Sequence, residues 1–343
     1  MRSITDISRF VCQPGVPLRD VMQRFNDLPE RFMVVVDPAG KPLGTITDGD
    51  LRRGILRGLS LDTPVSVAMN TSPVIGRRSD PKAVSMQSLN RVGFLPMVDA
   101  SGSLCDIRLP SGQIEPVLDA LVMAGGFGRR LGDRTLRTPK PMLEVGDKPM
   151  LEHMLTWLED GGVRRIFVSV HYLSEQIEAY LANRKGAAEH EILRETNPLG
   201  TAGAAGFLAG RVKKPFLVAN ADVITRLDLA SLTAFHHSHG HDGTLAVVPH
   251  VVDIPFGVIK QDDAGNFEGI DEKPRYSYFV SSGIYLLSPE FCNLVPQGQP
   301  FDMPDLLIAG RKAGLRIGVF PIHEYWRDLG READLQSARI ENS

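Results

Sequence analysis

The residues best suited to chemistry concentrate in one loop. An apolar run, Ala120 to Ala124, leads directly into Gly125-Gly126-Phe127-Gly128-Arg129-Arg130-Leu131, and Pro139-Lys140-Pro141-Met142 follows shortly after. Glycines, lacking Cβ atoms, let backbone N–H groups come close to a phosphate. Two arginines and a lysine beside them make a cradle for a polyphosphate. Two familiar phosphate-binding patterns do not fit. Leu131 stands where GxGxxG requires its third glycine, and no Lys-Ser/Thr pair closes the glycine run. A nicotinamide-dinucleotide enzyme and a Walker-type ATPase both lose ground. Farther along, Asn220-Ala221-Asp222 closes another apolar run, and Asp328 lies within Tyr325-Trp326-Arg327-Asp328-Leu329-Gly330. A carboxylate at the C-terminal end of a strand suits Mg²⁺, which takes hard oxygen ligands and few of them from protein. A lone aspartate in such a place is commonly a turn residue or an N-cap.

Alternating elements must position these groups. Strand-like runs include Ala120 to Ala124, Ile166 to Val170, Phe216 to Ala219, Leu245 to Val248 and Ile284 to Leu287. Helix-like runs include Met150 to Glu159, ended by Gly161-Gly162, and Ser174 to Leu181. This alternation predicts an α/β domain with a doubly wound, mostly parallel sheet. Ligands in such sheets sit beyond the C-terminal strand ends. The Pro-Ser-Gly-rich stretch Pro110 to Glu115 reads as a linker, so one domain is expected over 1–112 and another over 118–343.

The first third carries a weak internal repeat. Pro17 to Asn26 is echoed by Pro81 to Asn90, and Val36-Asp37-Pro38-Ala39-Gly40 by Val98-Asp99-Ala100-Ser101-Gly102. Each copy predicts an amphipathic helix, then an apolar strand closed by an Asp and Gly turn. A pseudo-twofold module follows.

Composition narrows the classes. The 343 residues are 43% hydrophobic and 23% charged, as in ordinary globular chains of two or three domains. A formal net charge of −3 gives no basis for binding nucleic acid or a membrane surface. Cys12, Cys105 and Cys292 are far apart and form no CxxC pair, which speaks against a disulfide framework or a zinc knuckle. Met1 to Gly15 holds no apolar core of signal-peptide length, and runs such as Phe32 to Val36 are strand-sized. A cytoplasmic location is the expectation.

The whole string from Met123 through Leu131, with Pro139-Lys140-Pro141-Met142-Leu143 after it, resembles the sugar-nucleotide pyrophosphorylases, the NDP-sugar nucleotidyltransferases. The resemblance continues in order over roughly residues 118 to 340. It implies a Rossmann-like doubly wound mixed sheet. Ala124, Gly125, Gly126, Gly128 and Arg129 would wrap a nucleoside triphosphate, with Arg130 and Lys140 as the catalytic cations. That family usually has Thr or Ser at the position of Arg129. Leu199-Gly200-Thr201-Ala202-Gly203 opens a small-residue helix at the place where the base is read, and Glu195, five residues before Gly200, would contact the base. Asp222 and Asp328 would share Mg²⁺. Gly257, Glu272, Lys273 and Gly283 would hold the sugar phosphate, although Ser281 stands where the family usually has Asn.

The N-terminal repeat resembles a tandem CBS pair, a smaller α+β module, on Gly44-Thr45-Ile46-Thr47-Asp48-Gly49-Asp50. That resemblance implies adenine-nucleotide ribose binding by Thr47 and Asp50. Capping of the helix that begins near Leu51 explains the same residue types, and both readings stand. The second copy, Leu104 to Pro110, lacks the motif. CBS modules usually pair, which implies a homodimer. The histidines from His236 to His241 sit at an expected helix end stopped by Gly240, where imidazoles favour the C-terminal dipole over a dedicated metal site.

Together these features imply transfer of a nucleoside monophosphate from an NTP, with GTP favoured, to a hexosamine- or hexose-1-phosphate. The wording of the loop most resembles guanylyltransferases, and a CBS pair fused ahead of such a domain resembles the enzymes that make GDP-activated amino sugars for nonulosonic (legionaminic) acid pathways. Thymidylyl or uridylyl transfer is an alternative, and so is a non-catalytic CBS protein that senses nucleotides.

Overall fold

The computed structural model describes residues 2–28, 30–78, 93–109, 119–330 and 334. The chain divides into two compact units, Met1–Glu115 and Pro116–Ser343. The echo Pro81 to Asn90 and the linker Pro110 to Glu115 lie outside the described residues. No helix among the described residues is long and apolar enough to cross a membrane.

The first unit runs β1 (Arg2–Ile4), β2 (Val11–Cys12), α1 (Leu18–Asn26), β3 (Phe32–Val36), β4 (Pro42–Thr47), α2 (Asp48–Leu56), α3 (Val65–Ala68), β5 (Gly76–Arg77), β6 (Leu95–Val98) and β7 (Leu104–Leu109). It forms two sheets, ordered β2-β3-β4 and β1-β7-β6-β5. The repeat is visible in its turns. Asp37 N–H donates to Lys41 O at 2.9 Å and Asp99 N–H to Ser103 O at 3.0 Å. Gly40 and Gly102 close these turns at φ 78° and 84°, a left-handed conformation that glycine adopts without cost to a Cβ. Each hairpin carries a register shift at its last strand position, Val35/Val36 in one and Met97/Val98 in the other. The copies meet where Leu104 N–H donates to Gly40 O at 2.9 Å, and where the rings of Phe32 and Phe94 stack.

The second unit runs β8 (Asp119–Met123), β9 (Glu144–Val145), β10 (Lys148–Pro149), α4 (Met150–Asp160), β11 (Arg165–Val170), α5 (Ser174–Asn183), β12 (Glu189–Arg194), β13 (Phe216–Asn220), β14 (Val223–Thr225), α6 (Leu229–His239), β15 (Gly243–Asp253), β16 (Val258–Gln261), β17 (Phe267–Asp271), β18 (Arg275–Leu287), α7 (Met303–Lys312), β19 (Ile317–Pro321) and β20 (Trp326–Asp328). Seven strands form the central sheet in the order β12-β11-β8-β13-β18-β15-β19. The sheet is mixed, because β18 runs against both β13 and β15 while the other pairs are parallel. The inner strands are continuously apolar because both faces are covered. Ala120 and Val122 of β8 pack with Leu151, Leu155 and Leu158 of α4, and Leu121 packs with Phe167 and Val218 on the other face. Two strands run much farther than their apolar cores. The expected stretches Leu245 to Val248 and Ile284 to Leu287 are only the buried parts of β15 and β18. Their outer halves mix polar and aromatic residues, so no uninterrupted apolar run marks them.

Candidate active site

The order of the sheet places the site. After β8 the chain moves to β11 and β12 on one side, then crosses to β13 on the other. A crevice opens at such a switch point, beyond the carboxyl ends of the two strands. β8 ends at Met123 and β13 at Asn220, and Ala221 N–H donates to Met123 O at 3.2 Å. The glycine loop and the Asp222 turn therefore leave the sheet side by side.

The loop is held from beneath and open above. Ala124 is buried, and its N–H donates to Ser169 O at 2.9 Å. A Cβ on Gly125 would stand 3.0 Å from Glu195 Oε1, whereas one on Gly126 would meet nothing within 4 Å. Gly128 has φ 65°, and a Cβ there would stand 2.8 Å from Thr135 Cγ2 and 3.0 Å from Lys140 Cβ. Glycine is thus required for the Lys140 turn to pack against the loop. The Arg129 guanidinium lies over the Phe127 ring, 5.0 Å from its centroid. Arg129 and Arg130 are both exposed.

Lys140 begins a single 3-10 turn after Pro139, and its Nζ pairs with Asp222 Oδ2. Asp328 reaches the same place through β20. Val223 of β14 is opposite Asp328, and Leu329 N–H donates to Asp222 O at 3.0 Å. Solvent reaches Asp328, yet the protein massed around it still desolvates its carboxyl and raises its pKa above the ordinary aspartate range. The Asp222 carboxylate pushes it the same way, while Lys140 and Arg130 pull it down. Asp334 adds to the upward push, so Asp328 feels two other carboxylates and two cations. No group of three or more His, Cys, Asp or Glu side chains suited to a metal occurs among the described residues. Two carboxylates are a sufficient protein share for Mg²⁺, which keeps waters and substrate phosphates as its other ligands.

Glu195 is buried behind the loop. Its carboxylate accepts from Ser169 Oγ and from Leu199 N–H, the latter at 2.9 Å. The segment after it corrects the expectation of a small-residue helix. Gly203–Leu208 is a six-residue 3-10 helix with no side-chain cap, too short to present a helix dipole to an anion. Gly200, at φ 77°, instead packs against the chain at Phe301 and Asp302. Thr201 N–H and Oγ1 both donate to Asp302 Oδ1, at 2.9 and 3.1 Å, and Met303 N–H donates to Thr201 Oγ1. Asp302 was not foreseen. From sequence, an Asp two residues before Pro304 reads as the N-cap of α7, but its carboxylate makes no cap bond and serves the distant loop.

The residues expected at the sugar divide into two groups. Gly283 packs against the end of β13, two residues before Asp222, because a Cβ there would stand 2.7 Å from Asn220 Nδ2. Gly257, Glu272 and Lys273 lie at the roots of the β16–β17 hairpin. A Cβ on Gly257 would stand 2.9 Å from Ile270 Cγ2 and 3.0 Å from Glu272 Oε2. Lys273 adopts φ 46° where the chain turns from β17 into β18, and both Glu272 and Lys273 are exposed.

In the first unit Thr47 and Asp50 form a complete capping box at the start of α2. Asp50 N–H donates to Thr47 Oγ1 at 3.1 Å, and Thr47 N–H donates to Asp50 Oδ2 at 2.9 Å. Asp50 also pairs with Arg53, beside a cavity of about 350 Å³ lined by Arg57 and Asn70 as well. The histidine run ends α6 as expected, with Gly240 at φ 59° as the left-handed residue. His236 is buried against Thr244 Oγ1 at 2.9 Å, and His239 Nδ1 lies 2.9 Å from Phe235 O.

Comparison with known proteins agrees with this geometry. A family model described as nucleotidyl transferase matches residues 119–341, and a CBS domain model matches residues 4–57. The chain is 32% identical over 222 residues to the mannose-1-phosphate guanylyltransferase catalytic subunit beta of Drosophila melanogaster, covering 63% of this chain and 60% of that one. It is 32% identical over 229 residues to the mannose-1-phosphate guanyltransferase of Schizosaccharomyces pombe, covering 63% and 62%. The chain thus spans roughly three fifths of the length of these curated relatives. Among solved structures, HddC from Yersinia pseudotuberculosis complexed with GMP-PN superposes with a TM-score of 0.52 at 26% identity, over 66% of this chain and all of that one.

Proposed function

The chain belongs to the nucleotidyl transferase family and carries an N-terminal CBS module, and we propose that it transfers guanylyl from GTP to a hexose- or hexosamine-1-phosphate, releasing pyrophosphate. The convergence of Lys140, Asp222, Asp328 and Arg130 beside the glycine loop carries this reading. A phosphate oxygen of the sugar-1-phosphate forms the new bond to the α-phosphorus of GTP, and the bond to the β-phosphate oxygen breaks. The nucleophile is already anionic, so the residues position and neutralise rather than abstract a proton. Loop N–H groups at Gly125, Gly126 and Gly128 orient the triphosphate. Arg130 and Lys140 stabilise the charge that builds on the α-phosphate and on the departing pyrophosphate. Asp222 and Asp328 would hold Mg²⁺, which when bound neutralises phosphate charge.

Glu195 supports guanine. A carboxylate only accepts hydrogen bonds, and each oxygen of Glu195 keeps a lone pair beyond its bond to Ser169 or Leu199. Guanine offers two adjacent donors, N1–H and the N2 amine. Uracil and thymine instead flank one N–H with carbonyl oxygens that would face the carboxylate. Both relatives above are named as guanylyl-transferring enzymes. On the sugar side, Glu272 would accept from hydroxyls, Lys273 would meet the phosphate, and Gly257 and Gly283 would let backbone approach. The CBS module ahead of the transferase favours a hexosamine-1-phosphate acceptor, whose GDP-activated product would feed a nonulosonic (legionaminic) acid pathway. Thr47 and Asp50 would bind the ribose of an adenine nucleotide by opening their capping box.

The test is pyrophosphate release with Mg²⁺, crossing GTP, UTP, dTTP, CTP and ATP with a panel that includes mannose-1-phosphate and glucosamine-1-phosphate. Release with GTP that depends on one sugar phosphate is expected. Preference for UTP or dTTP would overturn the base, and silence across the panel from folded protein would overturn transfer in favour of a sensor.

A further inference from the structure

The loop after Gly128 carries Arg129 and Arg130 at one end and Lys140 at the other, and no residue of 129–143 belongs to a strand. Its regular structure is two 3-10 pieces, Arg129–Thr135, kinked at Gly132, and Lys140–Met142. The first piece is held from within, where Thr135 Oγ1 lies 3.2 Å from Gly128 O and 3.1 Å from Gly132 O. The stretch leading on to Lys140 buries little of itself, because Leu136 is 64% exposed and Arg137 is exposed as well. It is held from outside. Tyr172 Oη donates to Leu136 O at 3.1 Å, and Gln176 Nε2 donates to Arg137 O at 2.8 Å.

The order of the sheet supplies both donors. β11 lies parallel beside β8, with Ser169 opposite Met123, so it ends next to the glycine loop. His171 and Tyr172 follow directly. The Tyr172 ring stands 5.3 Å from the Phe127 ring, centroid to centroid, and Phe127 carries the Arg129 guanidinium on its face. His171 places Nδ1 2.9 Å from Glu195 O and packs edge-on against the same Phe127. Leu173 then adopts φ 49° and ψ 41° before α5 begins. A left-handed step is unfavourable for a residue with a Cβ and persists where its surroundings fix it, which is common at functional sites. Across that step Tyr172 and Gln176 reach the carbonyls of consecutive residues.

We propose that Tyr172 and Gln176 are positioning residues for the transfer. Together they brace the loop so that Arg129 and Arg130 at one end and Lys140 at the other meet the same triphosphate. The inference rests on the transferase reading. Tyr172 is the principal member, because it touches both limbs of the loop, Phe127 through its ring and Leu136 through its hydroxyl. Pro139 and Pro141 are buried and seat the Lys140 turn, so the brace acts on the stretch by which the chain enters that turn. Misplacing a catalytic group by about 1 Å is enough to cost much of its effect on a rate. Both bonds are exposed to solvent, so losing them costs the fold little and shows in the reaction instead.

The double variant Tyr172→Phe/Gln176→Leu tests this in the full chain, since it removes both donors and leaves the ring on Phe127. Hydrogen exchange without substrate should quicken over 129–142 and stay unchanged over the central strands, with the thermal midpoint unmoved. Steady-state pyrophosphate release should show kcat lowered about tenfold, the scale of two ordinary hydrogen bonds, with KM for the sugar phosphate unmoved. A native kcat in the double variant would overturn the proposal. So would unchanged exchange over 129–142, or a fall in kcat matched by a general loss of protection across the second unit. Should the double variant fail to fold, Tyr172→Phe alone carries the test, with kcat down about threefold and the same local exchange. Silence from the native chain with every substrate pair would fall on the transferase reading instead, and exchange over 129–142 would then decide the brace alone.

Discussion

Asp222 follows directly on central strand β13, and Lys140 and Asp328 are brought to it by a 3-10 turn and by β20, whereas Gly257, Glu272 and Lys273 ride on an arm made of the β16–β17 hairpin and the exposed outer halves of β15 and β18. On the first side, positions are fixed by contacts with little slack. Gly128 packs on Lys140, Gly125 on Glu195, and Gly283 on Asn220. On the second, a Cβ on Gly257 would meet only Ile270 and Glu272 among the described residues, and the ion pairs there are exposed ones worth little. The contrast suggests a division of labour. On the proposed reading the sheet would fix the reaction, which is the same whichever sugar is activated, and the arm would meet the part of the substrate that differs.

Four substitutions would sharpen or break that contrast. Lys140→Ala should cut kcat roughly a hundredfold or more, as for a lost transition-state donor. Steady-state pyrophosphate release reads this directly, and normal turnover would remove Lys140 from the rigid side. Glu195→Gln should lower kcat/KM for GTP by about ten- to a hundredfold, the scale of one mispaired buried polar group. UTP should lose nothing, so the ratio of the two nucleotides is the measurement. Lys273→Ala should raise KM for the sugar phosphate about tenfold, as for a lost charge-assisted bond, with KM for GTP unmoved. Equal changes in both constants would dissolve the division between the two sides. Asp302→Ala should raise KM for GTP only about threefold, one ordinary hydrogen bond's worth, because it positions the Gly200–Thr201 loop from outside. Titration of GTP against both proteins is sufficient to see it.

The same contrast explains what was legible in the sequence. Strands such as β8 and β11, buried on both faces, announce themselves as apolar runs, and the glycines at 125 and 128 mark close approaches that the structure contains. Asp222 and Asp328 were readable as a pair only because they recur in a familiar order, since nothing local in Trp326–Asp328 says that β20 pairs with β14. The arm was nearly invisible, because a two-stranded ribbon without a covered face has no burial pattern to read. Asp302 was hidden for a different reason. Its neighbourhood satisfies the rule for a helix cap, and the partner that actually claims its carboxylate lies about a hundred residues away. The reverse occurred at Thr47 and Asp50, where the local cap is complete and any ligand must compete with it.

The buried end of α6 makes the protein's stability a matter of proton supply. Burial lowers the pKa of His236 from 6.5 to about 4, with His237 and His241 adding to the shift, so the folded chain keeps this imidazole neutral. Once unfolded, the same residue binds a proton near pH 6.5. Between those values the unfolded state holds the extra proton, and acidification draws the equilibrium toward it. The contribution of His236 is therefore intact above about pH 6.5 and is lost progressively as the pH falls toward about 4, a difference on the order of 3 kcal/mol across the window. Urea melts at pH 7 and pH 5 should show the loss, and His236→Asn should flatten it. Acid, acting at a helix end remote in sequence from the glycine loop, would then unfasten the sheet that holds the site together.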